Sequence, residues 1–103
     1  MPVHLCKLLP PRPTFPADMS DAEATLMGEH AAYWSGLIDR GVAVVFGPVF
    51  DPAGVWGLAI VDVPDERTAS TLANDDPVIR SDAGFRYEIY PMPQAVVRAT
   101  AQH

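Results

Sequence analysis

Four short apolar runs, with a long amphipathic segment between the first two and a shorter one between the last two, predict an α+β fold of order βαββαβ. This is the ferredoxin-like split βαβ arrangement, in which both helices cover one face of an antiparallel sheet. The chain has 103 residues, the size of one domain with no room for a second. Residues 1–93 carry the pattern and are read as that domain. Residues 94–103 carry no core-forming pattern and are expected to form a mobile C-terminal tail.

The elements follow in order. Val3-His4-Leu5-Cys6-Lys7-Leu8-Leu9 reads as the first strand. Pro10, Pro11, Pro13 and Pro16 then impose a stiff loop, because none can donate a ladder hydrogen bond. Ser20 and Glu23 have capping-box spacing, and Asp21 adds negative charge to the first turn. Leu26, Met27, His30, Tyr33, Trp34, Leu37 and Ile38 recur at three- and four-residue steps, which is one apolar face of a helix, and Gly41 is its natural stop. Val42–Phe46 is β-branched and apolar and reads as the second strand, broken by Gly47-Pro48. Asp51-Pro52-Ala53-Gly54 is a turn, and Val55–Val63 is a third strand too continuous to be half exposed. Asp65 caps a short second helix with Ala69, Leu72 and Ala73 as its inner stripe, and Asn74-Asp75-Asp76-Pro77 ends it. Phe85, Tyr87 and Ile89 alternate with Arg86, Glu88 and Tyr90 in the last strand.

Composition limits the function. Seven Lys+Arg stand against 13 Asp+Glu, a net charge of −6, which argues against nucleic acid or an anionic membrane as partner. The single cysteine makes no internal disulfide, and Met1-Pro2-Val3-His4-Leu5 lacks the basic and long apolar regions of a signal peptide, so a cytoplasmic location is expected. No apolar run reaches the ~18 residues of a membrane span. A helix pair covering one sheet face leaves the other face bare in a chain rich in aromatic residues, and a homodimer is the simplest remedy. A monomeric mass by light scattering at micromolar concentration would count against it.

The familiar catalytic motifs are absent: no glycine-rich nucleotide fingerprint, no P-loop, no serine nucleophile elbow. The three histidines, at 4, 30 and 103, have no metal-ligand spacing, so neither a metal nor a cofactor is expected. Cys6, inside a strand, reads as an inert buried thiol. His30 stands out because it interrupts the apolar stripe between Met27 and Trp34. Two readings stand: a core-edge histidine bonded to a backbone carbonyl, or a proton-transfer group oriented by a carboxylate. Asp76 and Asp51, each before a proline, are the candidate carboxylates, and each also suits a local Asx turn. Gly47-Pro48 reads as a bend at which glycine lets a ligand approach the backbone.

Gly28-Glu29-His30 within a capped helix, then Gly41, then Ala43…Phe46-Gly47-Pro48, and finally Asp76-Pro77 followed by Gly84-Phe85 resemble the YciI-like (YCII-related) family from Val3 to about Pro91. The Asp51-Pro52-x-Gly54 turn resembles many actinobacterial-type members. Three departures accompany the likeness: Val78 stands where members usually have an aromatic, the segment Val78–Ala83 is longer than usual, and Gly28-Glu29 occupies a stretch where many members carry an arginine. The resemblance implies a dimeric α+β barrel and a site built on His30 and Asp76. Relatives act in aromatic-ring degradation, including a dehydrochlorinase, and the fold is shared with muconolactone isomerase.

The reading that follows is a cofactor-free enzyme performing isomerisation or elimination on a cyclic or aromatic small molecule. His30 would be the acid/base and Asp76 its orienting carboxylate. Tyr33, Trp34, Phe46, Gly47, Pro48 and Asp51 are the candidate substrate-binding residues. Two alternatives remain: a non-catalytic small-molecule binding or accessory protein, and a structural dimerisation module without a concave apolar pocket.

Overall fold

Residues 2–99 are described by a computed structural model. Each predicted run forms an element: β1 (Val3–Leu9), α1 (Asp21–Asp39), β2 (Ala43–Val49), β3 (Trp56–Asp62), α2 (Glu66–Asn74) and β4 (Arg86–Met92), with an additional one-turn helix α3 (Pro77–Arg80) before β4. The strands lie in the order β2-β3-β1-β4 and every neighbouring pair is antiparallel. The α+β architecture and ferredoxin-like order are therefore as expected. Residues 95–99 form no helix or strand, and the remainder of the tail, 100–103, lies outside the described residues.

Local chemistry sets the helix ends. The Glu23 N–H donates to Ser20 Oγ at 3.1 Å and the Ser20 N–H donates to Glu23 Oε1 at 2.9 Å, a reciprocal cap that contributes about 1 kcal/mol. Gly41 takes φ +73 just past the helix, a left-handed conformation that a side chain would strain. Asp65 caps α2 by accepting from the Thr68 N–H at 2.8 Å.

The core lies between the helices and one sheet face. Trp34 and Leu37 of α1 are fully buried against Cys6, Ala43, Ala59 and Val61, with Ala69 of α2 beside them. Small strand residues make room for the indole, and the small Ala69 and Ala73 let α2 lie close to the sheet. Burial pushes the Cys6 thiol up to about 11, consistent with an inert group. A second cluster, Leu8, Phe15, Val78 and Phe85, ties the proline-rich loop to the sheet. Val78 is fully buried there, as a compact core residue. That loop is anchored by Arg12, whose Nη1 and Nη2 donate to the Glu23 carboxylate at 2.8 and 2.7 Å and whose Nε donates to Asp18 at 2.9 Å.

Three expectations are corrected. Gly47-Pro48 does not break β2, which pairs on to Val49, with Pro48 opposite Gly57. The reason is position: β2 is an edge strand, where a missing N–H need cost no ladder bond. Asp76-Pro77 does not simply end α2; it also starts α3, with Asp76 as cap and proline in the first turn. Thirdly, β3 is covered on one face only. Ala59 and Val61 are buried under the helices, whereas Leu58 and Ile60, on the other face with Leu5, are half-buried. Val45 and Tyr90, also on this face, are about half exposed, at 48% and 49%. Val3, at one end of the same face, is buried.

Candidate functional site

The site is organised by a buried carboxylate. Asp76 is brought inward because it closes α2 and caps α3, and its side chain has 0% exposure. Oδ1 accepts from the Val78 N–H at 3.0 Å. Oδ2 accepts from three side chains: Tyr87 Oη–H at 2.6 Å, His30 Nδ1–H at 2.7 Å and Trp34 Nε1–H at 2.7 Å. Trp34 Nε1 also lies 3.1 Å from Tyr87 Oη. α1 supplies His30 and Trp34 from one face, four residues apart, and β4 supplies Tyr87 from its helix-facing side.

Burial pushes the Asp76 carboxyl up, but the hydrogen bonds from His30 and Tyr87, the charge that His30 can carry and the indole N–H together outweigh it, and the carboxyl lies below its usual value. It is therefore a carboxylate at neutral pH. Burial first, then the adjacent Asp76 charge and the bond donated to it, push the Tyr87 hydroxyl far above its usual value, so Tyr87 remains a donor. Since a carboxylate only accepts, His30 Nδ1 must carry the proton, and in the neutral ring Nε2 is the bare nitrogen.

His30 also lines a cavity of about 310 Å³. Its walls include Pro10, Phe15 and Met19 from the loop that Arg12 anchors, Met27 of α1, and Phe46 and Trp56 of the sheet. The Phe46 ring stands edge-on to the imidazole, centroids 6.5 Å apart. Among the described residues, no Lys, Arg, Asp or Glu lines the cavity, and no protein group hydrogen-bonds His30 Nε2. An imidazole oriented by a carboxylate and facing a carbon-lined cavity can accept a proton from a bound molecule and return it.

The candidate residues separate into two groups. His30, Trp34, Phe46, Gly47 and Pro48 line the cavity, and Asp76 sits directly behind it on His30. Of the two carboxylates, Asp76 is the one bonded to His30, and the backbone-carbonyl partner considered for His30 is not used. Asp51 and Tyr33 are off the cavity wall. Asp51 forms the Asx turn, accepting from the Ala53 N–H at 2.9 Å, and also accepts from Trp56 Nε1–H at 3.1 Å, so its link to the cavity is through Trp56. Tyr33 donates its hydroxyl to the Leu72 carbonyl at 2.7 Å, joining α1 to α2. His103 lies outside the described residues. No group of three or more His, Cys, Asp or Glu among the described residues is placed to hold a metal ion.

Tyr87 and Trp56 were not foreseen. The only sequence signal for Tyr87 is its inward-facing phase in β4, since an inward phenol needs a hydrogen-bond partner. Trp34 was foreseen as a wall but not as a donor to Asp76.

The profile of the YCII-related domain matches residues 6–93. The chain belongs to the YCII-related domain family. The match spans His30, Asp76 and Tyr87, so the whole hydrogen-bonded cluster lies within this YCII-related domain. No curated protein matches the chain, and no helix among the described residues is long and apolar enough to cross a membrane.

Proposed function

We propose that this YCII-related domain is a small-molecule enzyme that moves a proton on a cyclic or aromatic compound, in an isomerisation or an elimination. His30 Nε2 takes the proton from a carbon of the bound molecule and returns it at another position, or leaves it with a departing group. Asp76 holds the ring in the tautomer that exposes Nε2 and stabilises the imidazolium formed midway. Trp34, Phe46 and Pro48 keep water from the reacting carbon. A second copy of the chain over the bare sheet face completes the reading as a homodimer.

One observation carries it: His30 is held through Nδ1 by a buried carboxylate while the same ring lines an apolar cavity. The cavity also weighs against a purely structural dimerisation module, which needs none. The test is proton exchange in deuterated water. Neutral cyclic ketones and lactones that carry a hydroxyl group and acidic C–H groups are incubated with the wild type and with His30→Ala, and deuterium uptake and binding are both followed by NMR. Uptake catalysed by the wild type and reduced about 100-fold or more in the variant, with binding kept, is the expected result. Binding without His30-dependent uptake would point instead to a non-catalytic binding protein.

A further inference from the structure

We propose that the cavity selects a neutral ligand carrying one hydrogen-bond donor on a compact apolar frame, and that it rejects anions. The inference rests on the reading of the cavity as the ligand site, and it adds the ligand's charge and polarity.

The hydrogen-bond inventory leads to it. Four polar side-chain groups border the cavity: His30, Trp34, Trp56 and Tyr87. The Trp34 N–H and the Tyr87 O–H are both spent on Asp76 Oδ2, and the Trp56 N–H is spent on Asp51. His30 Nδ1–H is spent on the same oxygen. What remains for a ligand is the lone pair on His30 Nε2, an acceptor. A ligand whose only polar atom is a carbonyl finds no side-chain donor there, whereas an O–H or N–H finds a partner.

Charge points the same way. No Lys or Arg lines the cavity, so an anion entering it loses its hydration without a counter-ion. It would also approach the Asp76 carboxylate through one imidazole ring. With neutral His30 the pair already carries a negative charge, and with charged His30 the imidazolium is already matched by Asp76. A volume of about 310 Å³ is at the lower end of small-molecule sites, which begin near ~300 Å³. That size suits one or two rings.

Three probes of one shape separate these properties: 2-naphthol, naphthalene and 2-naphthoate. Binding is followed at about pH 8, above the ordinary titration range of imidazole, by the NMR signals of His30, Trp34 and Trp56, which all line the cavity. The expected order is 2-naphthol tightest, naphthalene about tenfold weaker because Nε2 is left unpaired, and 2-naphthoate about 100-fold weaker. The His30 Nε2 resonance should shift with 2-naphthol and stay in place with naphthalene. In His30→Ala the advantage of 2-naphthol over naphthalene should vanish.

Naphthoate binding as tightly as naphthol, or naphthalene matching it, overturns the ligand class, as does failure of all three to bind. None of these outcomes alters His30-dependent deuterium uptake, so the proton-transfer reading stands or falls separately.

Discussion

Replacing Asp76 with Asn is expected to lower the stability of the domain by about 3 kcal/mol, a fall of roughly 12–20 °C in Tm for a domain of this size. The carboxylate has no exposure and accepts from four donors, three of them on one oxygen. An amide fits the same volume but has only one accepting end. If its oxygen faces His30, Trp34 and Tyr87, its NH2 opposes the Val78 N–H. If it is turned round, three donors face another donor. Either way a buried group is stranded and the charge-assisted bonds are lost.

The effect also depends on pH, and the sign follows from the direction of the Asp76 shift. Its folded pKa lies below the ordinary value, so its contribution is fully present above the unfolded value of about 3.9. That contribution is lost as pH falls through the lower, folded value. The Asp76 contribution to the stability gap between wild type and Asp76→Asn should therefore shrink in acid. Urea unfolding at several pH values measures it. A gap that stays unchanged into strong acid, or an asparagine variant as stable as the wild type, would contradict the role given to this carboxylate.

The second large effect is at Trp34. Truncation to Ala is expected to cost about 4 kcal/mol, because the indole is fully buried and its neighbours are strand residues held by the ladder, which cannot collapse into the space. Trp34→Phe keeps much of the volume and removes only the N–H to Asp76, which retains three other donors. It should cost about 1–2 kcal/mol. Urea unfolding of the pair separates packing from hydrogen bonding. If Phe costs as much as Ala, the indole N–H outweighs the packing.

How far the sequence reaches can be seen in these residues. β1 and α1 were readable because their signals are local: an apolar run before prolines, and Ser20 with Glu23 three residues later. Asp65 as a cap was readable for the same reason. β2 was cut short because Gly-Pro is a break in a central strand and harmless at an edge, and edge position is a property of the assembled sheet. The short α3 was missed because Asp-Pro serves equally as an Asx turn and as a helix start. Asp76 does both, since its Oδ1 bond to the Val78 N–H is also the cap of α3.

The site was half readable. His30 in an apolar stripe is a local anomaly, and the family resemblance joined it to Asp76. The residues that make the pair work are separated along the chain: Asp76 lies 46 residues from His30, 42 from Trp34 and 11 from Tyr87. No periodicity connects such distances. The prolines of the 10–19 loop showed stiffness but not direction, because what folds the loop back as a cavity wall is Arg12 gripping Glu23, inside the cap of α1.

The central claim is that Asp76 fixes the tautomer of His30 and leaves Nε2 bare toward the cavity. The most direct measurement is the 15N NMR spectrum of the His30 imidazole at about pH 8, in the wild type and in Asp76→Asn. The wild type is predicted to show a protonated, slowly exchanging Nδ1 and an unprotonated Nε2, with that preference lost in the variant. A proton on Nε2 in the wild type, or a wild-type spectrum that the substitution leaves unchanged, would contradict it.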